Sequence, residues 1–265
     1  MHATVLTASP LTPTMVRVVL TGGDLAGLDV PEATDAYVNV ALPPDGAPYG
    51  GVFDPAEVKA THPREAWPVR RRYTVRAWDA ERHELTVDFA VHGGGAAARW
   101  ATHAKPGDVL VFEGPGGGYR PDPTADWHLL VGDESALPAI ARSLAALPAD
   151  ARAVVRLVCD GPDHEVPLET DADLDLMWLH RSGGEDDPWL LPAAVRTARF
   201  PAGRVHAFVH GEADEIRDIR RHLLNDRGVG RQDMSCSPYW RRTMTDEAWR
   251  AVKRDYVAAM EAEVA

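Results

Sequence analysis

The sequence predicts two domains of different class. Residues 1–122 form a β-rich barrel or sandwich, and residues 123–265 form a doubly wound parallel-sheet α/β domain. Three observations predict this. Short, β-branched runs separated by Pro, Gly and Asp turns recur over the first 120 or so residues. Beyond residue 123, apolar strands alternate with helix-like segments, as a parallel sheet requires. Between them, Pro115-Gly116-Gly117-Gly118-Tyr119-Arg120-Pro121-Asp122-Pro123 is dense in breakers and marks a boundary.

The elements follow in order. The chain enters a strand almost at once, at Met1-His2-Ala3-Thr4-Val5. Thr14–Leu20, Ala36–Leu42, Arg72–Arg76, Leu85–His92 and Asp108–Phe112 are short and rich in Val, Thr and aromatics. Pro43–Pro68 is long, polar and Pro-rich, and is expected to be a surface insertion. In the second half, Trp127–Val131 is a near-continuous apolar run, as expected for a buried parallel strand. A helix over Leu137–Leu147 follows, then strands at Val154–Cys159 and Leu174–His180 and a helix over Trp189–Arg199. The strand Val205–Val209 leads into a helix over Ala213–Asn225. The chain closes with Gln232–Trp240 and an amphipathic helix over Asp246–Glu263.

Bulk properties exclude several classes. No apolar run approaches the ~20 residues that span a bilayer, and the N-terminus reads as having no basic leader or signal core. Two cysteines, Cys159 and Cys236, make neither a disulfide framework nor a zinc site, which suits a reducing cytoplasm. The eleven histidines show no HxxxH or HxH spacing, so no protein-held metal is expected. A net charge of −12 argues against nucleic-acid and membrane-surface binding. It leaves an anionic small substrate open, because Arg70-Arg71-Arg72 and Arg241-Arg242 are local exceptions. A monomer is expected.

Two segments in the first half point to a flavin dinucleotide. Arg71, Tyr73 and Thr74 supply a guanidinium, a flat ring and a hydroxyl on one strand. The ring can cover one face of an isoalloxazine and the hydroxyl can reach its reactive edge. About twenty residues later, His92-Gly93-Gly94-Gly95-Ala96-Ala97-Ala98 places small residues at a helix start, where backbone N–H groups can cradle a pyrophosphate. Trp100 would pack behind that turn, and His92 could reach a ribose, adenine or phosphate.

The second half offers sites at strand ends, where ligands bind in such sheets. Gly132-Asp133-Glu134-Ser135-Ala136 follows the first strand and could hold phosphate or nicotinamide, although it is not GxGxxG. Gly211-Glu212 stands in the same place on a later strand. Acidic residues opening a helix would explain Asp133, Glu134 and Glu212 without a ligand. Ser237-Pro238-Tyr239-Trp240-Arg241-Arg242 is an aromatic–basic cluster that could close over a flavin and attract an anion, or simply pack a domain.

Taken in order, RRRYTVR (70–76), DFAVHGGGAAARWA (88–101), GDESALPAIAR (132–142), HGEA (210–213) and PYWRR (238–242) resemble the siderophore-interacting protein family, within the ferredoxin-reductase superfamily. The resemblance spans essentially the whole chain. It implies an antiparallel six-stranded FAD-binding barrel and an NAD(P)H-binding α/β domain. It implies FAD contacts at Arg71, Tyr73, Thr74, Asp88, His92, Gly94, Gly95, Ala97, Ala98 and Trp100. Asp133, Glu134, Ser135, Ala136, Gly211 and Glu212 would serve NADH or NADPH, with Tyr239 and Trp240 also beside the cofactors. Tyr73, Thr74 and Trp240 would act in catalysis, and Arg70, Arg72 and Arg241 would attract a ferric siderophore. The implied activity is NAD(P)H-dependent reduction of siderophore-bound Fe(III), with release of Fe(II) in the cytoplasm. The rivals are a reductase feeding a partner protein such as an oxygenase, and a siderophore-binding protein without turnover.

The chain departs from the family pattern twice. Ala96 and Ala98 stand where Pro and then Ser or Thr are usual, so phosphate binding must rely on backbone N–H groups. Thr243-Met244 follow the Tyr-Trp-Arg motif where Gly is usual.

Overall fold

A computed structural model describes residues 1–91 and 95–263. The chain divides into two compact units, Met1–Arg120 and Pro121–Ala265. In the first, six strands close into a barrel: β1 (His2–Thr12), β2 (Met15–Thr21), β3 (Tyr37–Leu42), β4 (Val69–Asp79), β5 (Glu84–Ala90) and β6 (Val109–Gly116). Their order around the barrel is β1-β2-β5-β4-β3-β6, every pair antiparallel. The barrel-or-sandwich alternative thus resolves as a barrel.

Period-2 alternation fills it. Val16, Val18 and Leu20 of β2, Val38 and Val40 of β3, and Leu85, Val87 and Phe89 of β5 share one apolar core. The Pro-rich insertion carries one short helix, α1 (Pro55–Thr61), whose N-terminus is capped by Asp54 through a bond from Ala56 N. A second helix, α2 (Ala96–His103), follows β5, and its Ala97 and Ala101 join the barrel core.

The second unit has a five-stranded parallel sheet. Its strands are β7 (Trp127–Gly132), β8 (Arg152–Cys159), β9 (Asp173–His180), β10 (Val205–Glu212) and β11 (Met234–Trp240), in the spatial order β11-β10-β7-β8-β9. The helices are α3 (Leu137–Ala145), α4 (Asp187–Thr197), α5 (Ala213–Asn225) and α6 (Asp246–Ala262). Every residue of β7 is buried, His128 included, as its near-continuous apolar run leads one to expect. The strand order reverses between β7 and β10, which makes their carboxyl ends the topological switch point where ligands bind in this architecture. Gly132 ends β7 there because nothing larger fits: an added Cβ would lie 2.6 Å from Ala136 Cβ and 2.7 Å from His210 O. Among the described residues no helix is long and apolar enough to cross a membrane.

Candidate functional site

On the barrel, β4 and β5 part where the predicted flavin residues stand. Their ladder runs from Val75 opposite Val87 to Asp79 opposite Glu84. Arg70 to Thr74 instead pair with β3 alone, Arg71 opposite Val40 and Tyr73 opposite Val38. Alternation therefore puts Arg71 and Tyr73 on one face of β4, and Arg70, Arg72 and Thr74 on the other. The Tyr73 ring bridges to β5 by lying on Phe89, with centroids 4.3 Å apart. Phe89 in turn meets Trp100 of α2 at 5.5 Å, so Trp100 packs behind the helix start. This row fixes the N-terminus of α2 at the same end of the barrel as Arg71 and Tyr73.

That helix start suits an anion. No side chain caps it, and its first intrahelical bond is Arg99 N to Gly95 O at 2.9 Å. A Cβ on Gly95 would meet nothing within 4 Å. Ala97 and Ala98 turn their methyl groups inward, so they can serve a phosphate only through their N–H groups. His92 and Gly94 lie outside the described residues. A guanidinium, an aromatic ring, the buried Thr74 hydroxyl and an uncapped helix start are the donor set that FAD requires, and the residues present fit it.

One expected FAD contact, Asp88, has a partner within the barrel. Asp88 is buried and both its oxygens are taken, by Arg17 Nε at 2.7 Å and Nη2 at 2.8 Å. Arg17 lies directly opposite on β2, and Arg76 Nε adds a contact at 3.9 Å. Asp88 therefore braces the barrel wall. The sign of this was Arg17 itself, a charge inside the apolar run of β2.

The other arginines also differ. Arg70 is paired with Glu113 and Arg241 Nε lies 3.5 Å from Asp214, so neither is an isolated cation. Arg72 is exposed, sits 5.1 Å over the Tyr37 ring and has no carboxylate partner among the described residues.

At the switch point of the α/β unit, three predicted segments converge on Asp133. Its Oδ1 accepts from Ser135 N at 2.9 Å and Ser135 Oγ at 2.5 Å. Its Oδ2 accepts from Glu212 N at 3.0 Å and Trp240 Nε1 at 2.7 Å. One buried carboxylate thus joins the ends of β7, β10 and β11. Gly211, at φ +148°, is needed here, since a Cβ would lie 2.7 Å from Asp133 Oδ2.

Glu212 caps α5, accepting from Asp214 N at 2.8 Å and Glu215 N at 3.0 Å, and also takes Arg242 N at 3.0 Å. Glu134 pairs with Arg181 at 2.7 and 3.0 Å. Ala136 is fully buried and its N–H is bonded to Asp133 O. The Asp133, Glu134, Ser135 and Glu212 side chains are therefore committed to one another and to the fold, the helix-start alternative weighed for the acids. Tyr239 packs on His210 at 4.9 Å. Sequence reasoning missed Glu215, which receives Arg242 Nη2 at 2.5 Å. Thr243 has φ +65°, a left-handed conformation that favours glycine and costs a β-branched residue about 1 kcal/mol.

Burial here sets a pH dependence. His210, stacked on Phe208 at 3.9 Å, is pushed down to about 3 by burial. His128 is pushed down to about 4, by burial and then by His206. Both fold neutral, so their stabilisation is full above the ordinary 6.5 and is lost as pH falls towards those values. Glu215, raised to about 7 chiefly by burial, acts oppositely: its contribution is full below 4.5 and is lost as pH rises through 7. Between pH 4.5 and 6.5 the two histidines outweigh Glu215, so these three groups make stability rise with pH. Urea melts across that range should show this rise, and His210→Gln should flatten it.

A flavin site on a closed barrel, followed by a parallel sheet with a polar hub at its switch point, defines a flavin-dependent oxidoreductase. The siderophore-interacting FAD-binding domain matches residues 4–119 and the siderophore-interacting protein domain matches residues 125–243. The chain belongs to the siderophore-interacting protein family, and FAD is its cofactor. It is 39% identical over 262 residues to an uncharacterized protein of Mycobacterium tuberculosis, covering 94% of this chain and 93% of that one. It is 34% identical to the ferric vibriobactin reductase ViuB of Vibrio cholerae, over 89% of this chain and 87% of ViuB. The crystal structure of SipS, the siderophore-interacting protein of Aeromonas hydrophila, superposes with a TM-score of 0.82 at 30% identity, covering 97% and 98% of the two chains.

Proposed function

We propose that the protein reduces Fe(III) held in a siderophore, using NADH or NADPH as electron donor, and so releases Fe(II) in the cytoplasm. The parting of β4 from β5 beside an uncapped helix start is the observation that carries this reading, because it sets Arg71 and Tyr73 together on one face of β4, outside the β4–β5 ladder. FAD, when bound, accepts two electrons together and releases them singly, which a one-electron iron acceptor needs.

The chain's own residues bind and orient. Arg71 and the N–H groups of Gly95 to Ala98 hold the pyrophosphate. Tyr73, braced by Phe89, presents a ring to stack on, and Thr74 offers a hydroxyl to the reactive edge. The α/β unit takes the dinucleotide at the carboxyl ends of β7 and β10, where Asp133 holds the strand ends and Trp240 in fixed positions. No general acid–base pair is required. Arg72, the exposed cation, attracts an anionic siderophore, with Arg70 and Arg241 contributing a field already reduced by their carboxylates. ViuB, named for its action on ferric vibriobactin, supports iron in a chelate as the acceptor.

The test is a visible spectrum taken before and after anaerobic addition of NADH or NADPH, then after a ferric siderophore with a ferrous trap. Flavin bands should bleach with the dinucleotide and return as the ferrous complex forms. Bands that bleach and then ignore the ferric siderophore would assign a different acceptor.

A further inference from the structure

FAD differs from the smaller flavin nucleotide FMN by an adenylyl group, so a chain that takes FAD gains from a place for the adenine. We propose that the Pro-rich insertion of the barrel unit provides that place, with Trp67 as the ring on which the adenine stacks, and that this makes the chain prefer FAD to FMN. The inference rests on the flavin reading of β4 and deepens it.

The parts of FAD come in a fixed order: isoalloxazine, ribityl chain, pyrophosphate, adenosine. The donor set on β4 runs in the matching order towards the start of the strand, Tyr73 for the ring and then Arg71 for the pyrophosphate. The next aromatic in that direction is Trp67. Its backbone is extended, at φ −69° and ψ 143°, and it stands two residues before β4. Period-2 alternation gives Trp67 the parity of Val69, Arg71 and Tyr73. At 3.3 Å per residue it lies ~13 Å beyond Arg71, a span that the Arg71 side chain and an adenosine cover between them.

Trp67 is held as a platform. It lies outside the barrel core and, at 37% exposure, is the one exposed tryptophan among the described residues of this unit. Its polar atom is already satisfied, Nε1 donating to His62 O at 3.0 Å. The residue before it is pinned too. Ala66 O accepts from the Tyr49 hydroxyl at 2.6 Å, and Tyr49 packs on Phe53 and His62 at centroid distances of 4.8 and 5.6 Å. Lys59 Nζ stands over the indole at 5.9 Å from its centroid. The insertion also meets the helix that offers its N–H groups to the pyrophosphate: Arg99 Nη2 of α2 lies 3.5 Å from Asp45 Oδ2. An exposed indole with its N–H satisfied loses no hydrogen bond when covered. A purine laid on it gains stacking, which any base supplies through its flat face.

The test titrates the flavin-stripped protein with FAD and with FMN, reading flavin fluorescence, for wild type, Trp67→Ala and Trp67→Phe. Wild type should bind FAD at least about 10-fold more tightly than FMN. Trp67→Ala should weaken FAD about 10-fold and leave FMN within about 2-fold. Trp67→Phe keeps a stacking ring and loses the bond to His62 O, and should hold FAD within about 3-fold of wild type. Urea melts of each variant check that the unit stays folded. Equal affinity of wild type for the two flavins overturns the proposal, as does an FAD-to-FMN ratio that Trp67→Ala leaves unchanged. Equal loss of both flavins overturns it too, since it makes Trp67 a support of the fold, and so does a loss of FAD that Trp67→Phe fails to restore. In each of these cases a flavin still bleached by NADH or NADPH leaves the reductase reading standing. If wild type takes up neither flavin, the flavin reading of β4 falls and the adenine subsite falls with it.

Discussion

Arg71→Ala is expected to yield a folded protein that loses its FAD on gel filtration. Arg71 is half-buried on the same face of β4 as Tyr73, and its Nη1 donates to Arg70 O at 2.9 Å. Charge-assisted bonds to a pyrophosphate are worth about 1.5–3 kcal/mol, so the dissociation constant should rise roughly 10- to 100-fold. Flavin fluorescence titration of the apoprotein measures it. Asp88→Asn provides the contrast. It breaks the fork to Arg17 inside the barrel wall and should lower the unfolding midpoint while changing FAD affinity little. A variant at Arg71 that keeps its flavin, or one at Asp88 that sheds it without unfolding, would reverse these two roles.

Asp133→Ala should be the most destabilising change in the α/β unit. It strips acceptors from Ser135 N and Oγ, Glu212 N and Trp240 Nε1 together. Glu212 is 1% exposed, so its N–H has no route to water. At 1–3 kcal/mol for each buried group left unsatisfied, the cost is about 3–5 kcal/mol, a fall in Tm of roughly 10 °C. Asp133→Asn keeps one acceptor oxygen and should lose about half as much. Trp240 emission should shift in both, since its indole N–H loses its fixed partner. A thermal melt of Asp133→Ala within a degree of wild type would show that the three strand ends hold their positions without it.

The fold was readable because its signals are local. The near-continuous apolar run of β7 and the alternation of β2 and β5 need no knowledge of distant residues. The segments of the candidate site were readable for the same reason: Arg71, Tyr73 and Thr74 lie on one strand, and the small residues of α2 open a helix. Pairings across strands were not readable. Nothing near Asp88 in the chain announces Arg17, which is set opposite by the β2–β5 register. Nothing near Asp133 announces Trp240, 107 residues away. Arg70 and Arg241 looked like free cations because Glu113 and Asp214 come to them only through the fold. Thr243 holds φ +65°, a left-handed backbone that its residue type does not announce.

The bonds that fasten the C-terminal segment have a consequence for amide exchange. Chain ends usually fray and exchange quickly with deuterated solvent. Here β11 is tied to β7 through Trp240, Arg242 is tied to Glu212 and Glu215, and Tyr256 of α6 donates to Ala213 O at 2.9 Å. Opening β11 and α6 therefore uncovers the start of α5 and the end of β7 together. The amides of β11 that bond to β10 should exchange more slowly than a fraying chain end, and Asp133→Ala should release them ahead of the central strands.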